Sequence, residues 1–280
     1  MKCFYHSADL DGHCSGAVVK YFYPECELIG INYGDEFPWE NIGPDEVIYM
    51  VDFSLQPFTG MIQLANKTPH FHWIDHHKTA IEEHAKINTL GDMIHGLRRD
   101  GIGACQLIWE YLSPYGDIPY AIELLAQYDV WNHSNPETLP FQYGMRLKDT
   151  WPDKAIGLWR SLFKNESAVK PIIEQGKTVI EYVTQDNAKY CASCAFDTEL
   201  DGLKCVAINK MLTNSQVFDS VWDIKKYDAM LTFGYRKGRW TVSLYTSKPG
   251  VDVSVIAKSR GGGGHKQAAG FQCNELPFAL

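Results

Sequence analysis

Short apolar runs alternate with amphipathic stretches along the first 75 residues. Residues 2–6 read as a strand, and Gly12 with Ser15-Gly16 opens a helix that reaches about Tyr23. Residues 28–32 read as a second strand. Residues 46–52, Glu-Val-Ile-Tyr-Met-Val-Asp, are apolar without strict alternation, which predicts a strand buried on both faces. Residues 57–65 predict a helix with Pro57 near its first turn, and residues 71–75 predict another strand. This strand–helix rhythm predicts an α/β unit, a mostly parallel sheet with helices on both faces.

From Gly103 the apolar spacing becomes helical over residues 104–112, 119–128 and 153–163. A long amphipathic stretch from 168 to about 190 reads as a connecting helix. Strand patterns return at residues 204–208, 229–236 and 239–246, the last two joined by Lys237-Gly238 as a hairpin turn. A short helix over 253–258, a glycine run and an apolar segment at 266–271 complete a smaller C-terminal α+β domain. The expected organisation is an α/β domain over 1–165, a linker helix over 166–194 and a second domain over 195–280.

The 280 residues suffice for two such domains, and 45% hydrophobic with 21% charged residues is an ordinary globular balance. No apolar stretch approaches a membrane span, and no leader pattern opens the sequence. Eight scattered cysteines do not resemble a disulfide framework. These features predict a cytoplasmic protein with no membrane partner. A net charge of −8 speaks against a long duplex nucleic acid as partner, since such proteins carry a basic face. Two bound divalent cations would halve that deficit, so a short anionic substrate stays compatible.

The acidic and histidine residues fall at significant places on this map. His6 ends the first strand and Asp9 and Asp11 follow it; Asp52 ends residues 46–52; Asp75, His76 and His77 end residues 71–75. Three strands of one parallel sheet thus deliver metal-binding side chains at their C-terminal ends, where open α/β sheets build sites. Carboxylates crowded in a cleft resist ionising together, and divalent cations relieve that repulsion. A mixed carboxylate and imidazole set suits Mn²⁺, Fe²⁺ or Zn²⁺. A lone Asp at a strand end is usually a cap, but the coincidence of all three strand ends is not explained that way.

At these residues the sequence resembles the DHH phosphoesterase superfamily. Asp75-His76-His77 matches the name-giving motif, His6-Ser-Ala-Asp9-Leu-Asp11-Gly12 the first, Asp52 the second and Asp129 the fourth. Residues 261–271, with Gly261, Gly262, Gly263, Gly264 and His265, resemble the signature of the DHH-associated substrate-binding domain.

The resemblance implies that His6 and Asp9 hold one metal, that Asp11, His76 and Asp129 hold another, and that Asp52 bridges them. Asp75 would orient a ligand, and His77 would face the scissile phosphate. Asp129 enters by family position alone. Gly261–Gly264 and His265 would meet a substrate phosphate. The chain departs from the family in two places. Some members place three residues between the first His and Asp where this sequence has Ser7 and Ala8. Several carry an arginine near Tyr245, a role Lys248 would take here.

The implied activity is a hydrolase, a two-metal phosphodiesterase resembling nanoRNA-degrading oligoribonucleases. It would cut very short single-stranded RNA or linear dinucleotides to mononucleotides through a two-metal-activated water. The cofactors expected are two divalent cations, Mn²⁺ first, with Mg²⁺, Co²⁺ or Zn²⁺ as alternatives. A homodimer is compatible with the sequence. Alternative readings are a phosphatase of 3′-phosphoadenosine 5′-phosphate or of a linearised cyclic-dinucleotide product, a single-strand exonuclease, or a catalytically idle nucleotide-binding protein.

Overall fold

A computed structural model describes residues 1–87 and 94–280. The chain divides into two units, Met1–Val179 and Ile180–Leu280. The first opens β1 (Lys2–His6), α1 (Leu10–Phe22), β2 (Glu27–Ile31), β3 (Ile48–Val51), α2 (Thr59–Lys67), β4 (Phe71–Ile74) and α3 (Lys78–Ile87). It continues through α4 (Ala104–Leu112), α5 (Tyr120–Asp129), α6 (Thr138–Met145) and α7 (Ile156–Lys164) into α8 (Val169–Cys194), which runs past Val179.

The four strands pair in parallel in the order β2-β1-β3-β4. Alternation along them feeds two cores. Cys3, Tyr5, Tyr49, Val51 and Ile74 pack under α1, α4, α5 and α7, while Phe4, Ile48, Met50, Phe71 and Trp73 pack under α2 and the segment around Phe53 to Phe58. The apolar run at 46–52 is thus buried on both sides because helices cover both faces, as the sequence pattern predicts. Since β1 sends the chain to β2 on one side and β3 lies on its other side, the order reverses between β1 and β3, and their carboxyl ends frame a crevice.

In the second unit β5 (Phe196–Leu200), β6 (Leu203–Asn209), β7 (Ala229–Arg236), β8 (Arg239–Tyr245), β9 (Gly263–His265) and β10 (Ala268–Cys273) form one mixed sheet, ordered β5-β6-β7-β8-β10-β9. Only β6 and β7 pair in parallel. α9 (Val253–Ser259) packs on one face through Val253, Ile256 and Ala257. Lys237 and Gly238 both have positive φ, 51° and 81°, the two-residue hairpin turn that matches the strand twist.

The glycine run is not a loop throughout. Gly263 and Gly264 belong to β9 and pair with Gly270 and Ala269 of β10. A Cβ on Gly262 would lie 2.1 Å from the Gly270 carbonyl oxygen, and one on Gly264 would lie 2.6 Å from that of Ala268. The close approach of two backbones accounts for these glycines without an anion. Among the described residues, no helix is long and apolar enough to cross a membrane, and all eight cysteines are free.

Candidate metal centre

Each acidic or histidine side chain named from the first unit is aimed by the element it ends or opens. His6 closes β1. Asp9 then caps α1, its Oδ1 accepting from the Gly12 N–H at 2.9 Å. Gly12 is demanded by this junction, because a Cβ there would come within 1.8 Å of the His6 carbonyl oxygen. The helix therefore starts directly on the end of the strand, and Asp11 in its first turn is buried. Both Asp11 oxygens are held by the start of α4, Oδ2 accepting from Ala104 N–H at 2.7 Å and Oδ1 from Cys105 N–H at 2.9 Å. A carboxylate at a helix N-terminus is favoured by the unsatisfied N–H groups there.

Asp52 follows β3 with φ +56°, a left-handed conformation that a β-carbon disfavours. It is 2% exposed. Such a conformation costs of order 1–3 kcal/mol and persists where the surroundings impose it. Here the backbone N–H of Asp52 donates to the Ile74 carbonyl at 3.0 Å, so β3 and β4 clamp the turn and point the carboxylate into the crevice.

Beside it, Asp75 is fully buried and saturated. Its Oδ1 accepts from the backbone N–H groups of His76 at 2.7 Å and His77 at 3.1 Å and stands 2.7 Å from His77 Nδ1; its Oδ2 accepts from Trp73 Nε1 at 3.2 Å. Asp75 thus grips the His77 ring directly and reaches His76 through the backbone.

These placements bring six of the predicted residues together. His6 Nδ1 lies 3.0 Å from Asp9 Oδ2 and 3.6 Å from Asp52 Oδ2. His76 Nε2 lies 3.3 Å from Asp52 Oδ1, 3.1 Å from Asp129 Oδ2 and 3.8 Å from Asp11 Oδ2. Two groups, His6-Asp9-Asp52 and Asp11-His76-Asp129, each keep their donor atoms within 4.8 Å of one another. A third joins Asp52, His76 and His77, though the Asp75 carboxylate already engages His77 Nδ1.

Charge dominates this crevice. Burial, then the neighbouring Asp52 and Asp129 carboxylates, push the Asp11 carboxyl well up; burial and Asp9 push Asp52 up. Burial opposes charge on His76, but Asp129 and Asp52 outweigh it and push that imidazole up to about 12. His6 goes up to about 10 in the same way, Asp52 and Asp9 prevailing over burial. Such carboxylates need cations near them.

The donor set fits divalent metals. His6 Nδ1 and Asp52 Oδ1 are buried without a hydrogen-bond partner, although polar atoms stand close by. Buried polar atoms are normally satisfied, so these two are candidates for coordination. Imidazole and carboxylate together suit a first-row transition ion.

The remaining predicted residues belong to the second unit. Gly261 and Gly262 line a cavity of about 430 Å³ together with Arg239 and Phe271. Gly263 and Gly264 lie in β9, and His265 at its end is exposed. Lys248 is paired with Asp228 at 2.6 Å and reaches the Tyr227 carbonyl at 3.4 Å, so two of its three donors are engaged. Sequence reasoning missed the Ala104 and Cys105 N–H groups on Asp11; the helix opening after Gly103 was their sole trace. It also missed Tyr33, half-exposed, whose ring lies 5.8 Å from that of His6.

One solved structure with this architecture carries the same name as the motif. The chain aligns over 96% of its length with 81% of a DHH domain from a member of a family of ribosomal proteins, at a TM-score of 0.58 and 14% identity. The chain has the DHH fold. The DHH fold also aligns it with a pGpG-specific phosphodiesterase from Vibrio cholerae (TM-score 0.54, 11% identity, 97% of this chain and 92% of that one). An exopolyphosphatase-related protein from Bacteroides fragilis aligns at 0.52 and 14% identity, over 98% and 87% of the two chains. By sequence the chain is 30% identical over 251 residues to uncharacterized protein R106 of Acanthamoeba polyphaga mimivirus. That match covers 83% of this chain and 54% of R106, so the chain spans about half the length of the curated relative it matches. No family model matches the chain.

Proposed function

We propose that the chain is a metal-dependent phosphodiesterase that hydrolyses very short single-stranded RNA or linear dinucleotides to mononucleotides. The observation that carries this reading is the pair of donor groups linked through Asp52: His6, Asp9 and Asp52 on one side, Asp11, His76 and Asp129 on the other. His6 and Asp9 would hold one divalent cation, Asp11, His76 and Asp129 a second, and Asp52 both. When bound, such a pair supplies Lewis acidity and an activated water for attack on phosphorus. Mn²⁺ suits the mixed nitrogen and oxygen donors.

The protein's own groups do the rest. Asp75 fixes the His77 ring through Nδ1, which leaves Nε2 to donate to a phosphate oxygen and steady charge that develops there. Helix α4 holds Asp11 in place through two N–H donors. A dinucleotide as substrate is supported by the net charge of −8, which disfavours long nucleic acid. It is supported too by the DHH fold shared with a protein whose named substrate, pGpG, is a dinucleotide.

The test is a hydrolysis series over 5′-phosphorylated RNAs of two to about twenty nucleotides with Mn²⁺, with 3′-phosphoadenosine 5′-phosphate alongside. Cleavage that is fastest on the shortest RNAs and lost in Asp52→Asn is expected. Wild-type rates in Asp52→Asn would overturn the metal assignment. Silence on every RNA with turnover of 3′-phosphoadenosine 5′-phosphate would replace the substrate.

A further inference from the structure

Helix α5 delivers Asp129 in its last turn and then stops in a defined way. The Trp131 N–H donates to the Tyr128 carbonyl at 3.0 Å, and the Asn132 N–H donates to that of Gln127 at 2.8 Å. This pair of bonds puts the residue after the helix cap in the left-handed region, a position usually given to glycine. Here it is Trp131, with φ +58° and 52% exposure. A bulky side chain is strained in that conformation, and glycine would close the turn without strain. The ring is held in place. Its centroid lies 4.6 Å from that of His133 and 6.1 Å from that of Tyr128, whose hydroxyl accepts from Arg146 Nη2 at 3.0 Å. Strain kept at an exposed aromatic beside a functional side chain points to a use for its free surface.

A second aromatic flanks the other donor group. Tyr33 follows β2, whose last residue, Ile31, lies beside His6 in register. It rides a turn in which the Asp35 N–H donates to the Asn32 carbonyl at 3.1 Å and the Asn32 N–H donates to Asp35 Oδ2 at 2.8 Å. Gly34 takes φ +98° there. The Tyr33 ring lies 5.8 Å from that of His6 and 4.7 Å from that of Phe53, the residue after Asp52. Tyr33 is 49% exposed. It therefore adjoins the donor group that contains His6. Trp131 adjoins the group that contains Asp129, since two steps along a chain span less than about 8 Å.

We infer that Tyr33 and Trp131 are stacking surfaces for nucleobases, one on each side of the scissile phosphate, and that they set a preference for a phosphodiester flanked by two bases. Every base has a π-face, so two aromatic rings select for the presence of bases and not for their sequence. A dinucleotide offers two bases joined through one phosphodiester. By contrast, 3′-phosphoadenosine 5′-phosphate offers one base, and polyphosphate offers none. The inference rests on the phosphodiesterase reading and deepens it, by naming residues that choose among its candidate substrates. Both act by positioning the substrate, so their loss is read in binding.

The experiment measures, by titration calorimetry on the full chain with Mn²⁺, the affinity for two adenosines joined by a methylphosphonate, an uncharged linkage that resists hydrolysis. Three further ligands lack the 5′ base, the 3′ base or both. The parent is expected to lose about 10-fold in affinity for each base removed. Trp131→Gly, which the left-handed backbone accepts, and Tyr33→Ala should each lose about 10-fold on the two-base ligand. Each should match the parent on the ligand that lacks the base it stacks. Trp131→Phe and Tyr33→Phe, which keep a ring, should restore most of the loss. A parent that binds the two-base and base-free ligands equally, or binds none of the four, overturns the inference. Variants that weaken all four ligands alike overturn it too, by showing a structural role. Base-blind binding with intact Mn²⁺-dependent hydrolysis of RNA sinks this inference alone, whereas base-dependent binding without hydrolysis sinks the phosphodiesterase reading.

Discussion

His77 Nδ1 stands 2.7 Å from Oδ1 of Asp75, and the same oxygen receives the backbone N–H groups of His76 and His77. One carboxylate therefore sets both the ring and the turn that carries it. Asp75→Asn keeps the volume but turns an amide NH₂ toward existing donors. Activity is expected to fall about 10- to 100-fold, the usual cost of disturbing an orienting partner. Steady-state kinetics on the dinucleotide should show the loss in kcat more than in KM. An undiminished kcat would mean that the His77 ring does not need this grip.

Metal uptake should release protons. His6 is pushed up to about 10 and His76 up to about 12 by the carboxylates around them, against the cost of burial. Both are therefore imidazolium at neutral pH before a cation arrives, and both must be neutral to coordinate. Affinity for Mn²⁺ should rise with pH, and at least two protons should leave on saturation, from His6 and His76 and from whichever of the raised Asp11 and Asp52 carboxyls is protonated. Titration calorimetry in buffers of different ionisation enthalpy counts them. A proton count of zero would remove His6 and His76 from the ligand set.

Asp11 serves two partners at once, so its variants should separate. Asp11→Ala strands two buried N–H groups at the start of α4 and should cost about 2 kcal/mol of stability. Asp11→Asn keeps one acceptor and turns its NH₂ toward the other N–H, so it should melt between Asp11→Ala and the parent, and bind metal more weakly. Thermal melts with and without Mn²⁺ distinguish the two effects. Melting of Asp11→Ala at the parent's temperature would show that the helix does not depend on this carboxylate.

Gly12→Ala places a methyl 1.8 Å from the His6 carbonyl oxygen, where backbone must move. The expected loss is about 3 kcal/mol or more, with His6 and Asp9 displaced together. Denaturant unfolding would measure it. A variant as stable as the parent would show that α1 can slide along β1.

Much of this architecture was legible because it is local. β1, β3 and β4 are written as apolar runs; β1 ends on His6, and Asp52 and Asp75 directly follow β3 and β4. Lys237-Gly238 announces its hairpin, since both positions tolerate the left-handed region better than most. Other elements gave no such pattern. α6 contains Pro140 and Gly144, which interrupt helical periodicity, and β5 alternates charged residues at the edge of its sheet. β9 is written in glycine, which reads as loop until its pairing with β10 is seen.

The site was legible to the same extent. Residues at strand ends could be found from spacing, but Asp129 sits at the end of α5, and only tertiary packing brings it 3.1 Å from His76. Residues 95–98 run beside β4 and hold Asp75 through its backbone, again without a periodic trace.

The donor groups gather residues as distant in sequence as His6 and Asp129 onto one crevice. A cation pair seated there would act as a cross-link closing a loop of about 120 residues. In the chain-entropy description a covalent bridge over about 100 residues removes nearly 5 kcal/mol of unfolded-state freedom. Coordination bonds are reversible, so a metal clasp would confer part of that and give it up to a chelator. The N-terminal unit would then be a domain whose mechanical integrity is titrated by the divalent-ion supply, tightening when it is ready to act.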